Sequence, residues 1–193
     1  MMHGLVNRSL QSFLRNTYGQ AAWTSIAEEA GAPPDGFEAM FSYEDALTDR
    51  VLDVAVQILV KPREALLEDL GMFLVTREEL RRLLRFGGVD YVDFLHSLDE
   101  LPDRARLAVA DIGLPDLELE QRSDECFALR CGPGHPGWTP VLAGILRAMA
   151  DDYGAFALVD IESAEQTQTI RIELLQTRYA TGRSFDLARP EVA

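Results

Sequence analysis

The sequence is poor in cysteine, histidine and positive charge, and it has no long apolar run. Two of its 193 residues are cysteine and three are histidine. Cys126 and Cys131 are too few for a disulfide framework, and five apart on one strand they would point to opposite faces. A reducing cytoplasm is therefore the expected compartment. His3, His96 and His135 have no metal-ligand spacing, and no H-x-x-x-H exists. Lys and Arg number 18 against 32 Asp and Glu, a net charge of −14 that a duplex or an anionic membrane surface would repel. Arg77, Arg81, Arg82 and Arg85 are interleaved with Glu78 and Glu79, which reads as a solvated helix face rather than a nucleic-acid patch. No stretch approaches the ~18–20 apolar residues of a membrane span. The opening "MMHGLVNRSLQSFLRNTYG" has polar residues every few positions and no signal-peptide core.

What is present is an ordinary globular balance, 47% hydrophobic and 26% charged, enough for one substantial domain. Helical stripes come first. Leu5, Leu10, Phe13 and Leu14 form one, ended by Gly19. Ala22, Trp23, Ile26, Ala27 and Ala30 form another, ended by Gly31. A third opens near Ser42, a weak cap, and carries Leu47, Val51, Val54, Ala55 and Ile58. Pro62 suits the first position of a fourth helix. Thr76-x-x-Glu79 reads as a capping box for a fifth, stopped by Gly87-Gly88. From Asp90 a regular stripe of Tyr91, Phe94, Leu95, Leu98 and Leu101 predicts a long helix to about Val109. Pro102 falls inside it, so the helix kinks or two helices meet there. Asp99, Glu100, Asp151 and Asp152 are read as solvated.

After Pro115 the period changes to two. Leu117 and Leu119 alternate with acids, a turn "RSDE" follows, then Phe127, Leu129 and Cys131 alternate. A helix from about Thr139 to Tyr153 and two further strands, around 155–162 and 168–176, complete a β-β-α-β-β unit. Helices followed by hairpins predict an α+β fold. Residues 1–176 are expected to form one domain. Its helical part is 1–88, and 89–176 hold a long helix and an antiparallel sheet. A polar tail runs over 177–193.

Gly132, Gly134 and Gly137 spell G-x-G-x-x-G, and Asp160 ends the next apolar run, the outline of a dinucleotide loop. The context argues against it. The preceding strand is already half of a hairpin, whereas a dinucleotide fold needs parallel crossovers. Pro133 and Pro136 remove two donors from a loop whose work would be donating N–H groups to phosphate. A nucleotide-binding enzyme is the weakest reading. Cys131 and His135 make a thin nucleophile-base pair with no third group to orient the imidazole.

Three blocks resemble one known family. They are "HGLVNRSLQSFLRNTYGQAAWTSIAEEAG", "FLHSLDELPDRARLAVADIGLPDLELE" and the closing β-β-α-β-β unit. Together, over about residues 2–176, they look like the H-NOX (heme nitric oxide/oxygen-binding) domain. The resemblance implies a non-enzymatic sensor domain holding a b-type heme between a helical part and a sheet. It also implies an iron-ligating histidine on a long helix, a Tyr-x-Ser-x-Arg motif for the propionates, and a proline pressing on the porphyrin.

Carried onto this chain, the pressing proline is Pro115. Phe94, Leu95, Leu98, Asp99 and Leu101 match the proximal-helix motif, but the histidine position is Pro102, which the resemblance points into the pocket. The propionate motif falls on Cys131, Pro133 and His135, so all three of its residues are replaced. Imidazole supplies the axial bond to iron and arginine forks onto carboxylates, so both attachments are altered. His135 would pair with a propionate only when protonated. His96, six residues before Pro102, lies about 240° away around an ideal helix. The expectation is an H-NOX-like regulatory domain with a degenerate heme site, acting through a partner protein, an apolar ligand, or both. Stand-alone H-NOX proteins commonly act on histidine kinases or cyclic-di-GMP enzymes, which sets the expected partner class. The alternative is a working heme-based NO sensor with a substitute iron ligand.

Overall fold

The computed structural model describes residues 1–176 apart from 34, 165 and 166; the expected polar tail and part of the last hairpin turn lie outside the described residues. Helices α1 (Gly4–Tyr18) and α2 (Gln20–Ala30) follow a short strand β1 (Met2–His3). Gly19 and Gly31 end them as the sequence predicts, with φ of 92° and 69°, the region open to glycine. Strand β2 (Ser42–Tyr43) pairs antiparallel with β1, and then come α3 (Asp45–Leu59), α4 (Arg63–Val75) and α5 (Glu78–Arg85).

Three sequence expectations about helix starts are corrected here. Ser42 is not a cap, because its backbone pairs with His3; the helix is entered through Glu44. Pro62 is the residue before α4 rather than its first residue. Thr76 makes no capping box: its hydroxyl donates back to the Phe73 carbonyl at 2.7 Å and closes α4, so α5 begins after Arg77. For Ser42 and Thr76 a nearby backbone partner outcompeted the local cap.

The expected long helix is two helices. The first, α6, is Tyr91–His96; a 3₁₀ turn covers Leu98–Glu100, and α7 is Leu101–Ala108. Pro102 thus sits in the first turn of α7. No intrahelical donor is missing there, and the cost of an interior proline does not arise. The Arg104 guanidinium bridges the break, donating to the Ser97 carbonyl at 3.0 Å.

The sheet holds β3 (Leu117–Gln121), β4 (Cys126–Cys131), β5 (Phe156–Ala164) and β6 (Thr167–Gln176), in the order β3-β4-β6-β5, antiparallel throughout. With β4 paired on both sides, Phe127, Ala128 and Leu129 are all buried. This is the α+β arrangement expected. Helix α8 (Trp138–Tyr153) follows β4 and packs against both α4 and the sheet.

The α4–α8 contact is unusually close. A Cβ at Gly71 would lie 2.0 Å from the Val141 carbonyl oxygen, and one at Gly144 would lie 2.0 Å from that of Glu68. Both obstacles are backbone, so neither can swing aside. Arg147 of α8 pairs with Glu68 and also donates to the Val159 carbonyl of β5 at 2.5 Å. Two acids read as solvated prove structural. Asp152 is 7% exposed and pairs with Arg81 at 2.5 Å and Arg85 at 3.4 Å. Arg81 and Arg85 are therefore not simply part of a solvated face. Asp99 is exposed, yet its carboxylate accepts the Leu119 N–H at 2.7 Å and pins the 3₁₀ turn to β3.

Gly144→Ala is expected to force α4 and α8 apart and to cost roughly 1–3 kcal/mol, the range for overpacked sites. Urea denaturation should show a lowered midpoint with an unchanged slope. A midpoint within error of the native chain would contradict this close packing.

Candidate functional site

The helices enclose an apolar cavity of about 210 Å³. Its walls come from α1, α3, α4, α5, α7 and α8, with the loop before α8 closing one end. The lining is mostly leucine, as the stripes on these helices require when several turn inward to one space. Leu67 and Leu70 of α4 and Val141 and Ile145 of α8 form adjoining parts of the wall. Thus the glycine-to-backbone contact that joins these helices also makes one continuous wall of them. The lining contains no Lys, Arg, Asp, Glu, Cys or Tyr.

Three polar side chains at its surface are engaged, while the buried Asn7 Nδ2 beside Thr48 has no partner. Ser9 donates to the Leu5 carbonyl at 2.8 Å, and Thr48 donates to Asn7 Oδ1 at 2.7 Å. His135 is held at both ring nitrogens: Nδ1 accepts the Gly137 N–H at 3.1 Å, and Nε2 lies 3.3 Å from Asp49 Oδ1. An Nδ1 that accepts carries no proton, so in the neutral ring Nε2–H donates to Asp49. Asp49 is also paired with Arg63, whose other nitrogen reaches Asp53 at 2.6 Å. The loop before α8 is thereby fastened to α3 and α4 by a chain of charge.

The five residues singled out in the sequence scatter around this cavity. His135 lines it. Pro102 is buried but is not among the lining residues; Leu101 and Ala105 of the same helix are. Pro115 is buried next to the glycine loop, where a Cβ on Gly134 would touch it at 3.4 Å. Cys131 is buried at the end of β4, away from the lining, and Pro133 is exposed. His96 is exposed and packs edge-on against Phe127, with ring centroids 5.8 Å apart. The glycine loop joins a strand with antiparallel neighbours on both sides to α8, which is not the parallel crossover of a dinucleotide fold.

Two features escaped the sequence reading. Met2, 6% exposed, puts a thioether at the cavity wall. Asp49 and Arg63 are ordinary charges on two helix faces, and nothing local marks them as partners of a loop about 86 positions on. Among the described residues no group of three or more His, Cys, Asp or Glu could hold a metal ion, and no helix is long and apolar enough to cross a membrane.

Burial pushes the Cys131 thiol above its ordinary range, offset in part by a hydrogen bond with Thr139. Less thiolate at a given pH means slower alkylation. With iodoacetamide at pH 8, half-buried Cys126 is expected to react first and Cys131 only at higher pH or on unfolding. Equal labelling of both by mass spectrometry would contradict the burial of Cys131.

Similarity to known proteins agrees with this arrangement. The chain is 14% identical to, and superposes with a TM-score of 0.79 on, an Fe(II) unliganded H-NOX protein from K. algicida, covering 92% of this chain and 99% of that one. For an H-NOX protein from S. oneidensis in the Fe(II)NO ligation state the TM-score is 0.76 at 17% identity, over 91% and 100% of the two chains. Soluble guanylate cyclase gcy-31 of Caenorhabditis elegans is 20% identical over 154 residues, 78% of this chain and 22% of that protein. Soluble guanylate cyclase 89Db of Drosophila melanogaster is 22% identical over 160 residues, 79% of this chain and 23% of that protein. The chain therefore spans less than a quarter of the length of these curated relatives. The haem-NO-binding family model matches residues 3–161, and the chain belongs to that family.

Proposed function

We propose that this chain is a sensory domain of the haem-NO-binding family whose heme site is degenerate, and that it acts in signalling through a partner protein. The observation that carries the reading is the donor set around the cavity. Iron in this family's fold is expected to hang from an imidazole at position 102, and proline has no donor atom there. His135, the imidazole that lines the cavity, is committed at both nitrogens. Heme also brings two carboxylates, and no arginine or lysine is among the lining residues. The volume of about 210 Å³ is short of the ~300–1,000 Å³ of pockets that enclose drug-sized ligands. These residues do not fit a heme held by a histidine and a propionate clamp.

The partner proposed is a signalling enzyme: a histidine kinase, a cyclic-di-GMP enzyme, or a nucleotide cyclase of the kind the curated relatives are named for. The domain itself is proposed to regulate rather than to catalyse.

A second reading, a heme sensor with a substitute ligand, draws support from two side chains at the cavity wall. They are the His135 imidazole and the Met2 thioether. His96 and Cys131 do not line the cavity.

Heme supply separates the two readings. Protein expressed with ample heme and purified is expected to be colourless or far below one heme per chain by absorbance. A full Soret band at 1:1, lost on His135→Ala or Met2→Leu, would establish the second reading instead.

A further inference from the structure

The lining of the cavity specifies a ligand class as well as excluding one. We infer that the cavity binds a small, neutral, apolar molecule directly, of the size of one aromatic ring with a short substituent or of a short alkyl chain. The inference rests on the heme-free reading of the site and names the ligand that this reading leaves open.

Size sets the first limit. An apolar cavity of ~150 Å³ stays dry and takes up benzene; at about 210 Å³ this one has room for a ring carrying one or two more carbons. Polarity sets the second. Ser9, Thr48 and His135 spend their hydrogen bonds on protein partners, which leaves only the Trp138 indole N–H in the lining and the buried Asn7 Nδ2 beside Thr48 to hold water or a polar ligand. A charged ligand would meet no counter-charge in the lining, and an unpaired buried charge is strongly disfavoured. Access sets the third. Leu5 is 37% exposed and lines the cavity, with half-buried Val6 beside it and half-buried Leu83 on α5. A ligand therefore reaches the interior past α1 and α5 without the core opening. The walls belong to six helices from both halves of the chain, so occupancy bears on how those halves pack.

The test uses the whole chain in heme-free form, with toluene as the neutral probe and benzoate as its charged counterpart. Toluene should raise Tm progressively with concentration, as expected for a ligand that binds the folded state. It should also shift the methyl signals of Leu70 and Leu142, which line the cavity, and leave that of exposed Leu175 unmoved. Benzoate should bind at least about tenfold more weakly. Ala105→Met, which fills the cavity from α7, should abolish the toluene response, while Leu107→Met on the exposed face of the same helix should keep it. Should Ala105→Met not fold, the methyl map of the native chain decides alone.

No toluene-dependent shift at the cavity leucines up to its solubility limit, or equal binding of benzoate, overturns the inference. A parallel hemin titration keeps the two readings apart. A 1:1 Soret band with toluene shifts in the heme-free chain overturns the heme-free reading and leaves the cavity's ligand class standing. Absent toluene shifts overturn the ligand class whatever hemin does.

Discussion

The contact of α4 with α8 is the constraint on which the rest of this molecule depends. Each helix offers a glycine to the other's backbone, with virtual Cβ positions 2.0 Å from a facing carbonyl oxygen. Such an approach is closed to every other residue, because an added methyl would meet main chain rather than a movable side chain. It draws the helical part onto the helix that also covers the sheet. Arg147 extends the link by bridging Glu68 of α4 to the Val159 carbonyl of β5. Aromatic packing of Tyr91, Phe94 and Tyr153 completes it, with the Tyr91 hydroxyl donating to the Leu146 carbonyl at 3.0 Å.

The cavity follows from that contact. Backbones held close at Gly71 and Gly144 set Leu67, Leu70, Val141 and Ile145 side by side in one wall, and α1, α3, α5 and α7 supply the others. What distinguishes this interior chemically is its lack of charge and the engagement of Ser9, Thr48 and His135 with protein partners. The loop that the family resemblance assigns to propionates is instead tied through His135 to Asp49 and Arg63.

Legibility in the sequence followed the range of the interactions. Glycine stops at Gly19 and Gly31 and most of the apolar stripes of α1 to α3 are local patterns that appear where they were read, although Leu5 and Ile58 are exposed, and β4, paired on both sides, buries Phe127, Ala128 and Leu129 in a row instead of alternating. The helix break at Pro102 was visible, and of its two readable forms, a kink or two helices meeting, the structure has the second. Whether proline sits inside a helix or opens a new one depends on the 3₁₀ turn before it, which Asp99 holds against Leu119 twenty residues on. The β1–β2 pair, the Asp152 clamp by Arg81 and Arg85, and the Asp49–His135 link join residues far apart in sequence, and no local periodicity encodes them. The family was legible because its blocks keep their order over most of the chain. Of the site, the sequence reading named His135, which lines the cavity, while the leucine walls looked like ordinary core.

The central claim is that this chain keeps the fold of a heme sensor without the donor set for heme. Restoring that set tests it most directly. Hemin should be titrated into the native chain and into a variant carrying Pro102→His, Cys131→Tyr, Pro133→Ser and His135→Arg, both verified as folded. The account predicts a Soret band and an NO-dependent shift of it in the variant, and neither at comparable hemin in the native chain. A native chain that binds hemin as tightly as the variant, or a folded variant that gains nothing, would contradict it.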